Sequence, residues 1–153
     1  MPEQSDIAPE FTLPQDGGAD ICLSDLRGGA VVLFFYPRDD TSGCTKESIE
    51  FSERLQEFAD AGAQVFGISK DSIASHVKFS TKHQLNVGLL SDENRSVCED
   101  YGVWHEKNMY GRKFMGIVRT TFLIAPDGKI AQVWRKVKVP GHVDVVLDAV
   151  KSL

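Results

Sequence analysis

The run Ala30-Val31-Val32-Leu33-Phe34-Phe35-Tyr36, bounded by Gly29 and Pro37, constrains this chain more than any other segment. It has no polar side chain to turn toward water, so a strand formed here must be covered on both faces. Pro37 lacks the N–H that a ladder requires and ends the strand. The run therefore belongs at the centre of a sheet with helices on both sides. The uncharged stretch around it lies between Arg27 and Arg38, about half of the roughly 20 apolar residues that a bilayer span needs. The opening residues MPEQSDIAPEF have neither the basic start nor the apolar centre of a secretory signal. The expectation is a cytoplasmic protein in a reducing compartment, with no membrane partner.

The rest of the pattern alternates strand and helix. Phe11–Leu13 and Ile21–Leu23 flank PQDGGAD and read as a small hairpin. Phe51, Leu55, Phe58 and Ala59 follow a helical spacing that ends near Gly62, and Ala63–Ser69 is a second strand. Asp71 or Ser72 can cap a helix that carries Ile73 and Val77 and runs to about His83. Val87–Leu90 is a short strand, and Ser91–Tyr101 a short helix stopped by Gly102. Val103–Val118 is the least regular segment and reads mostly as loop. Thr120–Ala125 and Ile130–Arg135 surround Pro-Asp-Gly-Lys, a hairpin signal, and a final helix carries Val143, Val146, Leu147 and Val150 on one stripe. With no repeat, linker or shift in composition, residues 1–153 read as one α/β domain. Its outline is a thioredoxin-like fold: a mixed central sheet flanked by helices, with an N-terminal hairpin insertion.

Seventeen Lys and Arg against 22 Asp and Glu give a net charge of −5. Such an acidic surface repels phosphate backbones and argues against a nucleic-acid partner. Cys22, Cys44 and Cys98 form neither a CxxC pair nor an even framework, so no disulfide scaffold is expected. His76 and His83 stand seven apart, without the i, i+4 spacing of a zinc pair, and with His105 and His142 read as surface imidazoles. No metal and no cofactor are expected.

Chemistry concentrates in Pro37-Arg38-Asp39-Asp40-Thr41-Ser42-Gly43-Cys44, where the buried strand gives way to a helix. In open α/β sheets that edge is where ligands bind. If Thr41 or Ser42 caps the helix, Cys44 falls in its first turn, where unpaired N–H groups and the helix dipole favour a thiolate. The Thr41 hydroxyl, three residues earlier, can reach whatever the sulfur attacks, and Pro37 shields one side of the pocket. The setting of Cys44 between Gly43 and Thr45 argues against burial in a core.

PRDDTSGC matches the pattern P-x-x-x-T-x-x-C. Together with FFYPRDDTSGCT, GISKDS, LLSDE, YGV, MYG and FLIAPDGKI, it makes the chain resemble the peroxiredoxins, and among them the peroxiredoxin Q or bacterioferritin comigratory protein subfamily. The likeness runs from Ile7 to the final helix. It implies a thioredoxin fold with insertions, and a thiol-dependent peroxidase acting on hydrogen peroxide and organic hydroperoxides without a cofactor. It further implies Cys44 as the peroxidatic cysteine, Thr41 as the hydroxyl that orients peroxide, Pro37 as the shield and Arg119 as the active-site arginine. Glu47 reads first as an acid that complements the helix dipole, and second as a partner of that arginine. A thiol of pKa near 8.5 is only about 3% ionised at pH 7, so complete ionisation gains about 30-fold. The larger share of catalysis must polarise the O–O bond, and Arg119, Thr41 and the N–H groups near Gly43 and Cys44 are the candidates.

The resolving cysteine of many relatives lies five residues after the peroxidatic one, here Ile49, or in the following helix, here Ser80. Its absence implies a one-cysteine cycle in which thioredoxin, or glutathione with glutaredoxin, attacks the sulfenic acid. The resemblance also implies a monomer, with a weak dimer as second choice. Cys98 reads as a small core residue, with an atypical two-cysteine cycle as the alternative. Cys22 reads as structural, or as partly exposed and idle. A thioredoxin-type oxidoreductase fails because residue 47 is Glu rather than Cys, and a cysteine phosphatase because residue 50 is Glu rather than Arg. A redox-sensing or holdase-like protein on the same fold is the rival reading. Trp104, Met109, Tyr110, Phe114 and Met115 are the residues that would meet alkyl chains or anchor their segment.

Overall fold

The computed structural model describes residues 2–153. The N-terminal hairpin pairs β1 (Thr12–Leu13) with β2 (Ile21–Cys22), antiparallel. The apolar run becomes β3 (Ala30–Phe35), with every residue buried. Then follow α1 (Ser42–Glu53), α2 (Leu55–Asp60), β4 (Ala63–Ser69), α3 (Ile73–His83), β5 (Gly88–Ser91) and the short α4 (Val97–Asp100). A hairpin of β6 (Trp104–Met109) and β7 (Arg112–Ile117) precedes β8 (Thr120–Ile124), β9 (Ile130–Arg135) and α5 (His142–Lys151).

The central sheet has the order β5-β4-β3-β8-β9, so the apolar run occupies its middle. β3 and β4 run parallel, as do β4 and β5, while β8 and β9 are antiparallel to their neighbours. This is the mixed sheet expected from two crossovers followed by a hairpin. Alternation along β3 divides the core. Val32, Phe34 and Tyr36 face Phe51 of α1, Phe58 of α2, Phe79 of α3 and the Val143–Val150 stripe of α5. Leu33 and Phe35 face Phe11, Leu13, Cys98 and Tyr101 on the opposite side. Each face is thus dry, as the absence of polar residues in β3 requires.

Close packing is demanding at Gly67 of β4. A Cβ there would lie 2.7 Å from Phe34 Cζ and 3.1 Å from Leu89 Cδ2. Phe34 is itself stacked on Phe51 with ring centroids 4.5 Å apart, so it has no free space to retreat into. Gly67→Ala is expected to destabilise the fold by about 1–3 kcal/mol, read as a lower denaturant midpoint at unchanged slope. An unchanged midpoint would mean that the aromatic layer yields more easily than its packing indicates.

Four sequence expectations are corrected. The helix expected through Phe51–Ala59 is interrupted at Arg54, whose φ of −101° and ψ of 6° separate α1 from α2. The helix expected over Ser91–Tyr101 is confined to Val97–Asp100. Ser91 belongs to β5, and the Asp92 carboxylate accepts from Val97 N–H at 3.1 Å and Cys98 N–H at 2.7 Å, so the first helical turn is satisfied there. Val103–Val118 is a hairpin rather than a loop. Tyr110 and Gly111 both adopt positive φ, 54° and 77°, which suits the tight turn between twisted strands. On α3, His76 and Phe79 form the buried face, whereas Val77 is exposed. No helix among the described residues is long and apolar enough to cross a membrane.

Candidate active site

The segment that leaves β3 is held at several points before α1 begins. Pro37 is half-buried directly after the fully buried Tyr36. Asp39 N–H donates to Asp71 Oδ2 at 2.8 Å, and Asp40 turns the chain with a φ of 60°. Thr41 occupies the N-cap in extended conformation. Its hydroxyl does not cap the helix but donates to the Arg38 carbonyl at 2.9 Å, which fixes the side chain over the loop. Thr45 N–H to Thr41 O, at 2.8 Å, is the bond that opens the helical ladder. The N–H groups of Ser42, Gly43 and Cys44 precede it and have no acceptor within the helix.

Cys44 is the third residue of α1, in the first turn as its spacing predicts. Its burial differs from expectation: the side chain is only 1% exposed. Neighbouring Gly43 and Thr45 are small or polar, but tertiary packing with Tyr36 and the α1–α5 cluster covers the sulfur. Arg119, in the short link between β7 and β8, reaches it from the far side of the site. One guanidinium nitrogen, Nη2, lies 3.2 Å from Cys44 Sγ, and Nη1 donates to Glu47 Oε1 at 2.6 Å. Gly43 makes room for this approach, because a Cβ there would lie 3.2 Å from Nη2. The carboxylate that anchors Arg119 is fully buried, and Glu47 Oε2 has no hydrogen-bond partner among the described residues. Burial pushes the Glu47 carboxyl up to about 7, against the opposing pull of Arg119.

Two further polar groups surround this centre. His142, at the start of α5, shares a 2.8 Å hydrogen bond with Thr121 Oγ1 of β8. Burial, then the charge of Arg119, holds its pKa down at about 4, so the ring is neutral at pH 7. Lys107 of β6 is half-buried. Burial first, and the charge of Arg119 second, lower its pKa.

The remaining cysteines lie apart. Cys98 is fully buried in the cluster on the other face of the sheet from Cys44. Burial, reinforced by Asp92, pushes its thiol well above the ordinary range. Cys22 is half-buried, with Sγ 3.2 Å from Ser24 Oγ. Ile49 sits on α1 partly buried, and Ser80 on α3 directs its hydroxyl to the Leu85 carbonyl at 3.3 Å. Trp104 packs on the core beneath the β6–β7 hairpin, and Lys70 Nζ lies 5.3 Å from its ring centroid, so it anchors that hairpin. Met109, Tyr110, Phe114 and Met115 are exposed on the hairpin.

The histidines depart furthest from the sequence reading. His76 is fully buried rather than at the surface: Nδ1 lies 2.7 Å from Asp39 Oδ2 and Nε2 2.9 Å from the Leu90 carbonyl. His142 is also buried, His83 is half-buried against Asp40, and His105 alone among the four is exposed. The signal for His76 was its position three residues before Phe79, on the inward stripe of α3. Ligand atoms of Asp39, Asp71 and His76 fall within 4.8 Å of one another. Donors already occupy these carboxylates: Tyr36 Oη and Ser75 Oγ on Asp39, at 2.6 and 2.8 Å, and Ser69 Oγ on Asp71, at 2.6 Å. The group is a hydrogen-bond network.

A buried sulfur at a helix start, bridged by an arginine to a buried carboxylate, can be compared with known proteins. The AhpC/TSA family matches residues 5–133. The chain belongs to this family. Peroxiredoxin Bcp of Xanthomonas campestris is 45% identical over 147 residues, 95% of this chain and 92% of that protein. Peroxiredoxin Bcp of Escherichia coli is 43% identical over 147 residues, 96% and 94% of the two chains. Among solved structures, X. campestris bacterioferritin comigratory protein superposes with a TM-score of 0.88 at 44% identity, covering 93% of this chain and 90% of its own. A cysteine-to-serine mutant of Xylella fastidiosa PrxQ reaches 0.93 at 37% identity, covering 99% and 97%. This AhpC/TSA member is thus a peroxiredoxin of the Q or Bcp type with a thioredoxin-like fold, and a thiol-dependent peroxidase.

Proposed function

We propose that Cys44 is the attacking sulfur of this peroxidase, that it reduces hydrogen peroxide and organic hydroperoxides, and that an external thiol restores it. The observation that carries the assignment is the Arg119 guanidinium, which bonds the Cys44 sulfur and the Glu47 carboxylate at once. Glu47 fixes the orientation of Arg119, and Arg119 presents N–H donors and charge where an O–O bond would lie against the sulfur. The Thr41 hydroxyl spends its proton on the Arg38 carbonyl. Its lone pairs stay available to accept from the peroxide O–H. Pro37 contributes no N–H and closes one wall.

In the reaction the Cys44 thiolate attacks the near oxygen of ROOH, forming an S–O bond as the O–O bond breaks. The sulfur is oxidised by two electrons to a sulfenic acid, and the departing oxygen takes up a proton and leaves as water or alcohol. A thiol then displaces water to form a mixed disulfide, and a second thiol releases Cys44 with a disulfide of the reductant. Thioredoxin, or glutathione with glutaredoxin, has the required chemistry. An organic hydroperoxide substrate accords with the alkyl peroxide reduction described for the X. campestris relative.

The external thiol is supported by the separation of Cys44 and Cys98 onto opposite faces of the central sheet. A disulfide needs Cα atoms within about 7 Å, and in the folded arrangement the two cysteines pack into separate clusters with the sheet between them. Ile49 and Ser80 supply no thiol. Treatment with one equivalent of peroxide, followed by a sulfenic-acid trap and non-reducing peptide mapping, is expected to give an adduct on Cys44 and no internal disulfide. Added thioredoxin or glutathione system should then sustain many turnovers. A Cys44–Cys98 bridge would overturn the one-cysteine cycle, and arrest after a single turnover would favour a redox sensor.

A further inference from the structure

The buried pair of Asp39 and His76 takes no part in the chemistry above, yet it grips the segment that carries it. Asp39 stands two residues before Thr41. Tyr36 Oη, Ser75 Oγ and His76 Nδ1 all converge on its carboxylate. The His76 ring is fixed at its other edge by the Leu90 carbonyl of β5. Both ring nitrogens therefore face acceptors. A neutral imidazole has one N–H and would set a lone pair against one of them, in a site with no exposure to water. An imidazolium satisfies both. The titratable groups that face it are Asp39 and Tyr36 from the end of β3 and the loop beyond, Asp71 ahead of α3 and, farther away, Asp16 after β1.

We propose that the Asp39–His76 pair is a positioning latch: it ties the Tyr36–Thr41 segment to α3 and β5, and so sets where Thr41 and the first turn of α1 stand relative to Arg119. The proposal rests on Cys44 being the reacting sulfur. Asp39 and His76 are positioning residues, since their contacts are to loop, helix and strand.

Burial disfavours the His76 cation, but the hydrogen bond and charge of Asp39, with the Leu90 carbonyl and Asp71, outweigh it and raise its pKa. A histidine whose folded value lies above its unfolded value stabilises the folded arrangement most fully below the unfolded value, near 6.5. That contribution fades as pH rises through the folded value. The His76 half of the latch is therefore held at pH below the ordinary imidazole value and loosens as pH rises through its raised one.

The test measures the rate constant for oxidation of Cys44 by hydrogen peroxide across pH, on the full chain, for the parent, His76→Gln, Asp39→Asn and the double variant. Each single variant is expected to slow the reaction by roughly 10- to 100-fold, the scale of an ångström-sized misplacement. The double variant should be little worse than either, because the two side chains act as one unit. The parent should lose rate along an alkaline limb that His76→Gln lacks. Folded single variants with the parent's rate and the parent's limb would overturn the latch. If the variants do not fold, nitrogen NMR of the parent decides. Two protonated ring nitrogens at neutral pH, with deprotonation tracking the alkaline limb, support it; a neutral ring at pH 7 overturns it. Peroxide turnover that survives Cys44→Ser would overturn both this proposal and the sulfur assignment, whereas turnover lost in that variant and unchanged in folded His76→Gln overturns the latch alone.

Discussion

Cys44→Ser is expected to lower peroxide turnover to background, a loss of at least about 10⁴-fold, the scale seen when a nucleophile is deleted. The substitution is close to isosteric, and the Arg119 Nη2 donor 3.2 Å away would find an oxygen in place of the sulfur. The fold should therefore survive, with an unfolding midpoint near that of the parent. What disappears is a polarisable thiolate able to take an oxygen atom from a peroxide. Cys98→Ser makes the contrast. It should keep turnover while costing about 1 kcal/mol of stability, because a more polar hydroxyl would replace a thiol packed in a fully buried cluster, with Asp92 beside it to accept its proton. Steady-state peroxide consumption with a thioredoxin or glutathione system, together with denaturation of each variant, separates the two. Turnover that persisted in Cys44→Ser would remove the sulfur from the mechanism.

Arg119→Met should slow the reaction of Cys44 with peroxide by about 10²–10³-fold, the usual cost of losing one preorganised donor to developing charge. The guanidinium has two partners, so its removal has two consequences. The sulfur loses a cationic donor at 3.2 Å, and Glu47 loses the group that opposed the effect of its burial. The Glu47 carboxyl, already raised to about 7, then moves higher and takes up a proton at neutral pH, so no buried anion is stranded. Comparing the peroxide rate with the ultraviolet thiolate absorbance of the same variant resolves the role of Arg119. A fall in thiolate to the level of a free thiol accounts for about 30-fold. A rate loss beyond the thiolate loss assigns the remainder to the O–O bond; equal losses would confine Arg119 to ionising the sulfur. Arg119→Lys, which keeps the charge but not the fork that spans Cys44 and Glu47, should fall between parent and Met variant.

Much of the fold was legible because β3 is wholly apolar and sets its own place in the sheet. The Ala63–Ser69 strand, the Pro-Asp-Gly-Lys hairpin and the α5 stripe carry local signals of turn chemistry or periodicity, and they appear where those signals put them. The β6–β7 hairpin escaped notice for two physical reasons. Its turn is Tyr110-Gly111 rather than Asn-Gly or Asp-Gly, and its strands are largely exposed, so no apolar alternation marks them. In the site, Thr41, Cys44 and Glu47 are neighbours in sequence. Arg119 lies 75 residues from Cys44, and only the resemblance pointed to it. Neither the burial of Cys44 nor the pairing of Asp39 with His76 is written locally. Both arise when α1 and α3 close over the same face of the sheet.

On the proposed one-cysteine cycle, that sheet also sets the working life of the molecule. With Cys98 sealed behind it, a sulfenate on Cys44 would have no internal rescuer. It waits for a thiol from outside, or for a second peroxide that carries it to sulfinate, from which few systems recover it. A one-cysteine peroxidase built this way behaves like a fuse: its endurance under oxidant is set by how quickly the surroundings deliver reducing equivalents.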